Sequence, residues 1–214
     1  MKMNEYVLVT GASSKLGNLI SKILAKKNYS LLLHYYKSEE KTISLAKNLK
    51  EKFNNQNFYP LYLDLSKNHA IELISEKIFS ETKTIHGIIN NASLYTYDKF
   101  NNFNSNDFDS NFNIHFRNPI NLISIISKNL SSKKKEGFAI NITDENLNRD
   151  NHFSYNFSKT LLSIWSNKNF EKTLKITEYK PGNLFPSKNS EKTKIDFNNK
   201  FSKLIKYNYG HIRR

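Results

Sequence analysis

The sequence predicts an α/β fold in which a doubly wound parallel sheet lies between helices in three layers. Apolar runs of strand length alternate with amphipathic segments of helix length along the chain, and a glycine-containing turn follows the first run. Strands separated by helices in this rhythm pair in parallel through right-handed crossovers. The length of 214 residues, without an internal repeat or a linker, predicts a single domain over residues 1–214.

Six apolar runs are expected to form the strands, because each has strand length and is followed by polar or turn residues. They are Tyr6–Val9, Tyr29–Tyr36, Phe58–Leu63, His86–Asn90, Gly137–Thr143 and Leu174–Tyr179.

Helices are expected between these runs. Apolar residues from Leu16 onward recur at helical spacing, and Ser38 is suited to cap a second helix with acidic residues in its first turn. Three further helices are expected: one from about Ser66 with Ile71, Ile74 and Ile78 on one side, a long one from about Asp107 to Asn129 with a bend at Pro119, and one over Phe153–Asn169.

The composition excludes several classes of function. The chain has no Cys, so disulfides and thiolate metal sites are excluded, and no metal is expected. The net charge of +14 attracts anions, but the Lys residues are scattered, which favours a solubilising surface over nucleic-acid binding. No apolar run reaches the ~20 residues of a membrane span, and the first run is interpreted as a strand, not a signal peptide. We therefore expect a cytoplasmic protein without a membrane partner.

The first candidate site is the turn from Gly11 to Gly17. Gly11 permits a tight turn after the strand, and Gly17 lets the start of the helix pack closely. Backbone amides at the N-terminus of that helix would face a pyrophosphate. With Ser13, Lys15 and Leu16, the two glycines are our candidate ligands of a dinucleotide, and an ordinary strand-to-helix turn is the alternative.

The end of the second strand favours NADPH over NADH. Sites that prefer NAD usually place an Asp or Glu there to bind the ribose 2′-hydroxyl. This sequence has His34, Tyr36, Lys37 and Ser38 instead, a set suited to a 2′-phosphate. A solvated Lys after a strand is the alternative. After the third strand, Asp64-Leu65 is placed to bind an adenine edge, although Asp64 could equally cap the next helix.

Four motifs, in order and spacing, resemble short-chain dehydrogenases/reductases over about residues 5–185. They are Thr10–Gly17, Asn90-Asn91-Ala92, Tyr155 with Lys159, and Pro181-Gly182. One departure is Lys15, which replaces the middle glycine of the family's turn. Within the family, pteridine reductases are the most similar branch, because of the stretch HYYKS, the sequence NNAS ending at Ser93, and Asp144 where most relatives have a catalytic Ser.

The resemblance implies a Rossmann-like domain, a bound NADPH, and hydride transfer completed by a proton. It places Asn91, Ala92, Ser93, Pro181 and Gly182 against the cofactor, and Lys159 against the nicotinamide ribose.

The family's acid is matched by Tyr155, a phenol with an ordinary pKa of ~10. Lys159 lies four residues later, on the same helix face, and we expect its cation to lower that pKa. Asn113 matches the family Asn that holds a proton-relay water. Asp144 is expected to share the proton, with a pKa raised by burial, and Thr143 is the fallback hydroxyl.

The substrate side is expected to include Ser93, Tyr95 and Tyr155, with Tyr95 stacking on a flat pterin. Each of these residues also has an ordinary structural explanation: Tyr155 and Lys159 as the polar edge of a helix, Tyr95 as packing in an aromatic loop, and Asp144 as an N-cap. Their joint occurrence at the strand ends of one sheet favours a site.

Two departures from the family affect the prediction. Tyr155 follows Asp144 by eleven positions, fewer than is usual, and residues 187–214 form a short basic C-terminal segment with an amphipathic stretch near Ile195–Ile205. Whether a last strand is present is left open. The leading hypothesis is NADPH-dependent reduction of a dihydropterin or dihydrofolate in a homo-oligomer, dimer or tetramer. The alternatives are a carbonyl reductase of the 3-oxoacyl-carrier-protein type and a non-catalytic nucleotide-binding protein.

Overall fold

The structure is a computed structural model that describes residues 5–68, 71–79, 84–168, 172–182 and 196–205, with the backbone alone for 71–74. The described residues include six strands: β1 (Tyr6–Val9), β2 (Ser30–Tyr35), β3 (Phe58–Tyr62), β4 (Ile85–Asn90), β5 (Gly137–Ile142) and β6 (Leu174–Tyr179). All are parallel, in the order β3-β2-β1-β4-β5-β6. The predicted α/β fold is confirmed, and each strand lies within one or two residues of its predicted bounds.

The helices follow the strands in the predicted alternation. They are α1 (Lys15–Lys26), α2 (Glu39–Lys52), α3 (Ile71–Phe79), a 3₁₀ turn (Phe100–Asn102), α4 (Ser105–Phe112), a π turn (Asn113–Arg117), α5 (Asn118–Ser131), α6 (Phe153–Ser166) and α7 (196–205). Among the described residues, no helix is long and apolar enough to cross a membrane. The side chains of Ile71 and Ile74, expected on one helix side, lie outside the described residues, whereas Ile78 is buried.

The two apolar layers are separated by the sheet, because successive side chains of a strand point to opposite faces. On β1, Val7 and Val9 pack with α1, α2 and α7, and Leu8 packs with α3 and α5. All six residues of β2 and all six of β5 are buried, as expected for parallel strands covered on both faces. β3 lies at the edge of the sheet, where its Pro60 is tolerated.

The long predicted helix is present, but its irregularity is not at Pro119. α4, the π turn and α5 run without a break from Ser105 to Ser131. Pro119 occupies the first turn of α5, where a missing N–H costs little. The π turn immediately before it changes the direction in which side chains point, and such turns are frequent at functional sites.

Part of the predicted basic C-terminal segment belongs to the core. Phe197, Phe201 and Ile205 recur at four-residue spacing on one face of α7 and are all nearly fully buried. The ring of Tyr179 on β6 contacts Phe197 and Phe201, with centroid distances of 5.7 and 5.4 Å. α7 therefore covers the sheet on the same face as α1. The rest of residues 187–214 lies outside the described residues.

Candidate active site

The turn after β1 is shaped by two glycines. Gly11 has a φ of +61°, which L side chains rarely adopt. A Cβ atom on Gly17 would lie 2.2 Å from the carbonyl oxygen of Gly11, so α1 can pack on this loop only without a side chain there. Ser14 caps α1 by accepting a hydrogen bond from the Gly17 amide over 3.0 Å. The N-terminus of α1 therefore lies at the carboxyl edge of the sheet, where it favours an anion.

The loop after β4 braces this turn. The side-chain amide of Asn91 donates to the carbonyl oxygens of Thr10 and Gly11, over 2.9 and 3.1 Å, and to the Ser14 hydroxyl over 3.3 Å. The backbone amides of Asn91 and Ala92 both donate to the Thr10 hydroxyl. Because its amide protons are committed to the turn, Asn91 shapes the nucleotide loop, and its predicted contact with the cofactor stays a prediction.

His34 does not have its predicted role. Its side chain is only 3% exposed, its Nδ1 accepts a hydrogen bond from the Gly11 amide over 3.0 Å, and its Nε2 donates to the Leu63 carbonyl over 2.8 Å. Burial lowers the pKa of His34 to about 4, against the effect of the Leu63 bond, so the ring is neutral at pH 7. A neutral ring with both nitrogens bonded cannot bind a 2′-phosphate as a cation. The prediction is wrong, and His34 supports the glycine turn.

The residues that follow β2 lie at the surface beside that turn. Tyr36 is 43% exposed, Lys37 is exposed, and Ser38 is half-buried just before α2. The Lys37 ammonium lies 5.4 Å from the centroid of the Tyr36 ring. In the turn itself, Lys15 is also exposed, and its neighbours Ser13 and Leu16 are half-buried. Two cations are therefore accessible at this corner of the sheet.

Asp64 forms a local turn after β3. Its Oδ1 accepts hydrogen bonds from the Ser66 amide over 2.9 Å and from the Ser66 hydroxyl over 2.6 Å. Leu65 is buried, and its carbonyl oxygen accepts a hydrogen bond from Asn118 over 2.8 Å. The segment is thus fixed at the carboxyl edge of the sheet, next to the end of β2.

The catalytic candidates meet at the carboxyl end of β5. Tyr155 and Lys159 project from α6 and are 6% and 3% exposed. The Tyr155 hydroxyl donates a hydrogen bond to Oδ2 of Asp144 over 2.8 Å. Arg149, which the sequence analysis did not single out, donates two bonds to the same carboxylate over 2.8 and 3.1 Å. A phenol, a carboxylate and a guanidinium therefore form one hydrogen-bonded chain.

The protonation of this chain differs from the prediction. Burial alone would raise the pKa of Asp144, but hydrogen bonds from Arg149, from the Asn146 amide and from Tyr155 lower it below its ordinary value. The pKa of Tyr155 is raised, by burial and by the charge of Asp144, while Arg149 opposes that rise. Both expectations, a raised pKa for Asp144 and a lowered one for Tyr155, are wrong. The missing cause was Arg149 for Asp144, and burial together with the Asp144 charge for Tyr155.

Lys159 lies one turn from Tyr155 but binds a different partner. Its ammonium donates to the carbonyl oxygen of Ile142, the last residue of β5, over 2.7 Å. Burial lowers the pKa of Lys159 to about 8, against the attraction of Asp144. The Tyr155 hydroxyl is bound to the Asp144 carboxylate, whereas the Lys159 ammonium is bound to the carbonyl oxygen of Ile142, two residues before Asp144. The predicted direct lowering of the Tyr155 pKa by Lys159 is therefore not found.

Thr143 is removed as the fallback hydroxyl. It is 4% exposed, and its hydroxyl donates to the Glu178 carboxylate on β6 over 2.6 Å. Hydrogen bonds from Ser163, Thr143 and Asn167 lower the pKa of Glu178, although burial acts in the opposite direction. The side chain of Thr143 thus points to the edge strand, and Asp144 is the residue that reaches Tyr155.

On the long helix, the side chain of His115, and not that of Asn113, contacts Tyr155. The Asn113 amide donates to the Ser66 carbonyl over 2.8 Å, and its oxygen accepts a hydrogen bond from Arg117 over 2.7 Å. The ring of His115 stands nearly perpendicular to that of Tyr155, with centroids 5.4 Å apart. The side chain of Asn113 thus points toward the loop after β3, and its predicted role in holding a water of the proton relay stays a prediction.

Tyr95 forms an aromatic wall beside Tyr155. It is 55% exposed, and its ring centroid lies 4.9 Å from that of Tyr155 and 4.0 Å from that of His152. The loop is fixed because His152 donates to the Thr96 carbonyl over 2.6 Å, and because Asp98 accepts from the amide and the hydroxyl of Ser154 at the start of α6. The predicted substrate residues Tyr95 and Tyr155 therefore lie together at the mouth of the site.

The turn after β6 reaches the same edge. Gly182 has a φ of +66°, and a Cβ atom there would lie 3.2 Å from a carboxylate oxygen of Glu145, the residue after Asp144. Both Pro181 and Gly182 are half-buried. The loops after β5 and β6 are therefore in contact beside the hydrogen-bonded chain of Tyr155, Asp144 and Arg149.

Comparison with known families decides the classification. The family model for short chain dehydrogenases matches residues 5–165. The chain belongs to the short chain dehydrogenase family. The family resemblance predicted from the four motifs is confirmed.

Among curated relatives, this short chain dehydrogenase is 28% identical over 160 residues to the L-xylulose reductase of Caenorhabditis elegans, which covers 74% of this chain and 61% of that protein. It is 21% identical over 141 residues to a 3-oxoacyl-(acyl-carrier-protein) reductase of Staphylococcus epidermidis, which covers 66% of this chain and 57% of that protein. The matched part therefore spans about three fifths of the length of these relatives.

Two similar solved structures are of FolM alternative dihydrofolate reductase 1, from Brucella suis and Brucella canis, each in complex with NADP. The first has a TM-score of 0.74 and 24% identity and covers 85% of this chain and 76% of that one. The second has a TM-score of 0.77 and 23% identity and covers 92% of this chain and 85% of that one. At this identity the likeness shows the shared fold.

The site of this short chain dehydrogenase fits a dinucleotide on observations of its own. The positive φ of Gly11 and the close packing of the buried Gly17 on this turn bring the N-terminus of α1, which favours an anion, to the carboxyl edge of the sheet. An ammonium has three donors, so the bond from Lys159 to Ile142 leaves two for ribose hydroxyls. Lys15 and Lys37 supply accessible positive charge at the far corner.

Three residues of the site were missed from the sequence. Arg149 lies in the shortened loop between β5 and α6, and the signal that could have suggested it as the partner of Asp144 is that no other Lys or Arg lies between Asp144 and Tyr155. His115 lies in a helix whose local π turn has no sequence signal that we recognise. His152 precedes α6 directly, where a ring beside Tyr95 could have been expected from the aromatic composition of both loops.

Proposed function

We propose that the protein is an NADPH-dependent reductase that converts a dihydropterin or dihydrofolate-type substrate to its tetrahydro form. The observation that carries the proposal is the 2.8 Å hydrogen bond from the Tyr155 hydroxyl to Asp144, which pairs a proton donor with a carboxylate at the end of β5. The FolM dihydrofolate reductases from Brucella, which share the fold in complexes with NADP, support it.

NADPH would supply the hydride, and the protein would supply its position. The pyrophosphate would lie on the turn of Gly11, Ser13, Lys15, Leu16 and Gly17. The 2′-phosphate would lie by Tyr36, Lys37 and Ser38, and the adenine by Asp64 and Leu65. The nicotinamide half would lie between Ala92, Ser93, Lys159, Pro181 and Gly182. No acidic residue stands at the end of β2, which supports NADPH over NADH.

The proton for the reduction comes from the Tyr155 hydroxyl. Because the pKa of Tyr155 is raised, the phenol is fully protonated at pH 7 and its proton is always present. As charge develops on the substrate atom, the Tyr155 hydroxyl gives up its hydrogen bond to Asp144, its O–H bond breaks and the proton moves to the substrate; the charge of Arg149 then offsets the repulsion between the phenolate that is left and Asp144. Asp144, which is ionised, accepts the hydrogen bond from Tyr155 and fixes the direction of its hydroxyl.

The aromatic wall gives the site a preference for flat substrates. Tyr95 is exposed on one face and supported on the other by His152, with centroids 4.0 Å apart. A planar bicyclic ring placed between Tyr95 and the nicotinamide would be contacted on both faces. Ser93, exposed two residues before, supplies a hydroxyl at the edge of that space.

The test is oxidation of NADPH by the purified protein with 7,8-dihydrobiopterin, dihydrofolate and an acetoacetyl thioester. We expect turnover with the two reduced pterins and a KM for them that rises about tenfold in Tyr95→Ala. Tyr97→Ala is the matched control, because Tyr97 is 74% exposed in the same loop and has no ring contact with Tyr155 among those described. No turnover with any pterin would refute the proposed substrate.

A carbonyl reductase is the second candidate, favoured by the similarity to L-xylulose and 3-oxoacyl-(acyl-carrier-protein) reductases. The net charge of +14 would suit an acidic carrier protein. Faster turnover of an acetoacetyl carrier than of any pterin would select it. Binding of NADPH without turnover of either class would select the third possibility, a nucleotide-binding member without catalysis.

We also propose that the protein forms a homo-oligomer. Exposed apolar side chains cluster around α4 and α6, where Phe103 contacts Phe153 and Phe157 is 41% exposed. Phe100, 74% exposed, extends the same patch. Light scattering after gel filtration should give a mass of twice 25.1 kDa or four times that value, and a monomer would refute this proposal.

A further inference from the structure

His115 is a buried titratable side chain that the proposed reaction does not use. It is 1% exposed and lies in the π turn between α4 and α5. Its Nε2 lies 3.1 Å from the Leu94 amide nitrogen and 3.0 Å from the Ser93 hydroxyl, and its Nδ1 lies 2.8 Å from the Ser158 hydroxyl. One ring therefore connects the loop after β4 with α6.

The partners of His115 fix its tautomer. A backbone amide can only donate, so the bond from Leu94 requires a bare Nε2. The proton is then on Nδ1, which donates to the Ser158 hydroxyl, and that hydroxyl donates to the carbonyl oxygen of Ser154 over 2.8 Å. Burial and the charge of Lys159 lower the pKa of His115 well below its ordinary value, which keeps this neutral form at pH 7.

The loop that His115 holds carries the aromatic wall. Tyr95 follows Leu94 directly, and the ring of Tyr95 lies against Tyr155 on the helix that His115 also contacts. The anchors at Thr96 and Asp98 lie beyond Tyr95, and on its other side the backbone amide of Ala92 donates to Thr10. His115 supplies the anchor nearest to Tyr95 on that side, so without it Ser93 and Leu94 would lose their hydrogen bonds to the ring.

We propose that His115 is a positioning residue, which holds Ser93 and Leu94 against α6 and thereby sets the position of the substrate wall at Tyr95. The inference rests on the proposed function for its kinetic consequence, but the contact itself does not depend on which substrate is reduced. His115 touches neither the cofactor nor the substrate, because it is 1% exposed.

The experiment compares His115→Leu, His115→Gln and Ser158→Ala. The leucine variant removes all three hydrogen bonds of the ring, to Ser93, Leu94 and Ser158, at similar side-chain size. The glutamine variant offers an amide oxygen near the place of Nε2, and Ser158→Ala removes only the bond to α6. We expect His115→Leu to raise the KM for dihydropterin about tenfold, to change kcat less than threefold and to leave the Kd for NADPH within twofold. We expect Gln to restore most of the KM, and we expect Ser158→Ala, which cuts the link to α6 but keeps the bond to Leu94, to raise the KM less than His115→Leu does.

Hydrogen exchange of the Leu94 amide gives a readout that needs no turnover. In His115→Leu it should exchange at least tenfold faster, and in Ser158→Ala at the rate of the unaltered protein. If Leu94 is unaffected by His115→Leu, or if Ser158→Ala raises the KM equally, the proposal is wrong. Nitrogen NMR of the unaltered protein tests it without any variant, because a proton on Nε2 of His115 would exclude the bond from Leu94. If the unaltered protein turns over no pterin, the proposed function is refuted. The hydrogen exchange of Leu94 then still tests the role of His115.

Discussion

Replacing Arg149 with methionine removes the cation beside Asp144 while keeping much of the length of the side chain. The guanidinium donates two hydrogen bonds to the carboxylate, and the two side chains are 26% and 23% exposed. Exposed ion pairs contribute ~0.2–1 kcal/mol, and hydrogen bonds to charged groups ~1.5–3 kcal/mol. For this partly exposed pair we expect a loss of about 1–2 kcal/mol in the free energy of unfolding at pH 7.

The pH dependence of that loss follows from Asp144. Its pKa in the folded protein is held below the ordinary value of 3.8, so the stabilisation is present above that pH and is lost as the pH falls through the folded pKa. The difference between the two proteins should therefore be full at pH 7 and shrink in acid. Urea unfolding, followed by the fluorescence of the single Trp165, measures it.

The same substitution should slow the reaction. Arg149 opposes the rise in the pKa of Tyr155, so without it the phenol becomes a weaker acid beside an uncompensated carboxylate. A barrier increase of about 1 kcal/mol lowers kcat roughly fivefold. We expect that decrease with reduced pterin, and a smaller one in Arg149→Lys, which keeps the charge but not the paired bonds.

Lys200→Met is the matched control for Arg149→Met. Lys200 pairs with Asp196 over the same 2.8 Å, but the two side chains are 66% and 59% exposed. This exposed, solvent-screened pair should contribute little to the free energy of unfolding, and its loss should not change kcat. The reasoning about Arg149 fails if Arg149→Met unfolds at the same urea concentration as the unaltered protein, or if its stability difference is undiminished in acid.

Three further predictions concern the nucleotide end. Gly17→Ala should abolish measurable NADPH binding or folding, because its Cβ would lie 2.2 Å from the Gly11 carbonyl oxygen; a normal Kd for NADPH would contradict the proposed turn. His34, with a folded pKa of about 4 against 6.5, should contribute stability that is present above pH 6.5 and lost as the pH falls toward 4, about 3 kcal/mol in all. Unfolding of His34→Leu should lack this part of the pH dependence, and an identical pH dependence would refute the prediction. Lys37→Ala should raise the Kd for NADPH about tenfold and leave that for NADH unchanged, as measured by nucleotide fluorescence; equal effects on both would place the 2′-phosphate elsewhere.

The fold was predictable because its signals are local. Each strand is an apolar run bounded by polar residues, as in β2 and β5, and the period of the intervening segments identifies helices. The predicted bend at Pro119 shows the limit of such signals. A proline is visible in the sequence, but the π turn before it depends on how Asn113 and His115 pack against other segments.

That the residues predicted as catalytic lie together at the end of one strand could be predicted, but their protonation could not. Tyr155, Lys159 and Asp144 do lie at one end of β5, as the motifs predicted. Burial sets the direction of the pKa shift for Tyr155 and Lys159, and the pKa of Asp144 is lowered against burial by Arg149, five residues away in a loop without a family pattern. His34 failed for a related reason: sequence shows a histidine at a strand end, whereas only the structure shows that both ring nitrogens are bonded in the interior.

The most direct test of the account is hydride transfer from NADPH to 7,8-dihydrobiopterin in a single turnover, compared between the unaltered protein and Tyr155→Phe. Phe keeps the ring contacts with Tyr95 and His115 but has no proton to deliver. We predict that Tyr155→Phe binds NADPH with an unchanged Kd and reduces the pterin at least a hundredfold more slowly. Reduction at the rate of the unaltered protein would show that the proton comes from elsewhere and would contradict the account.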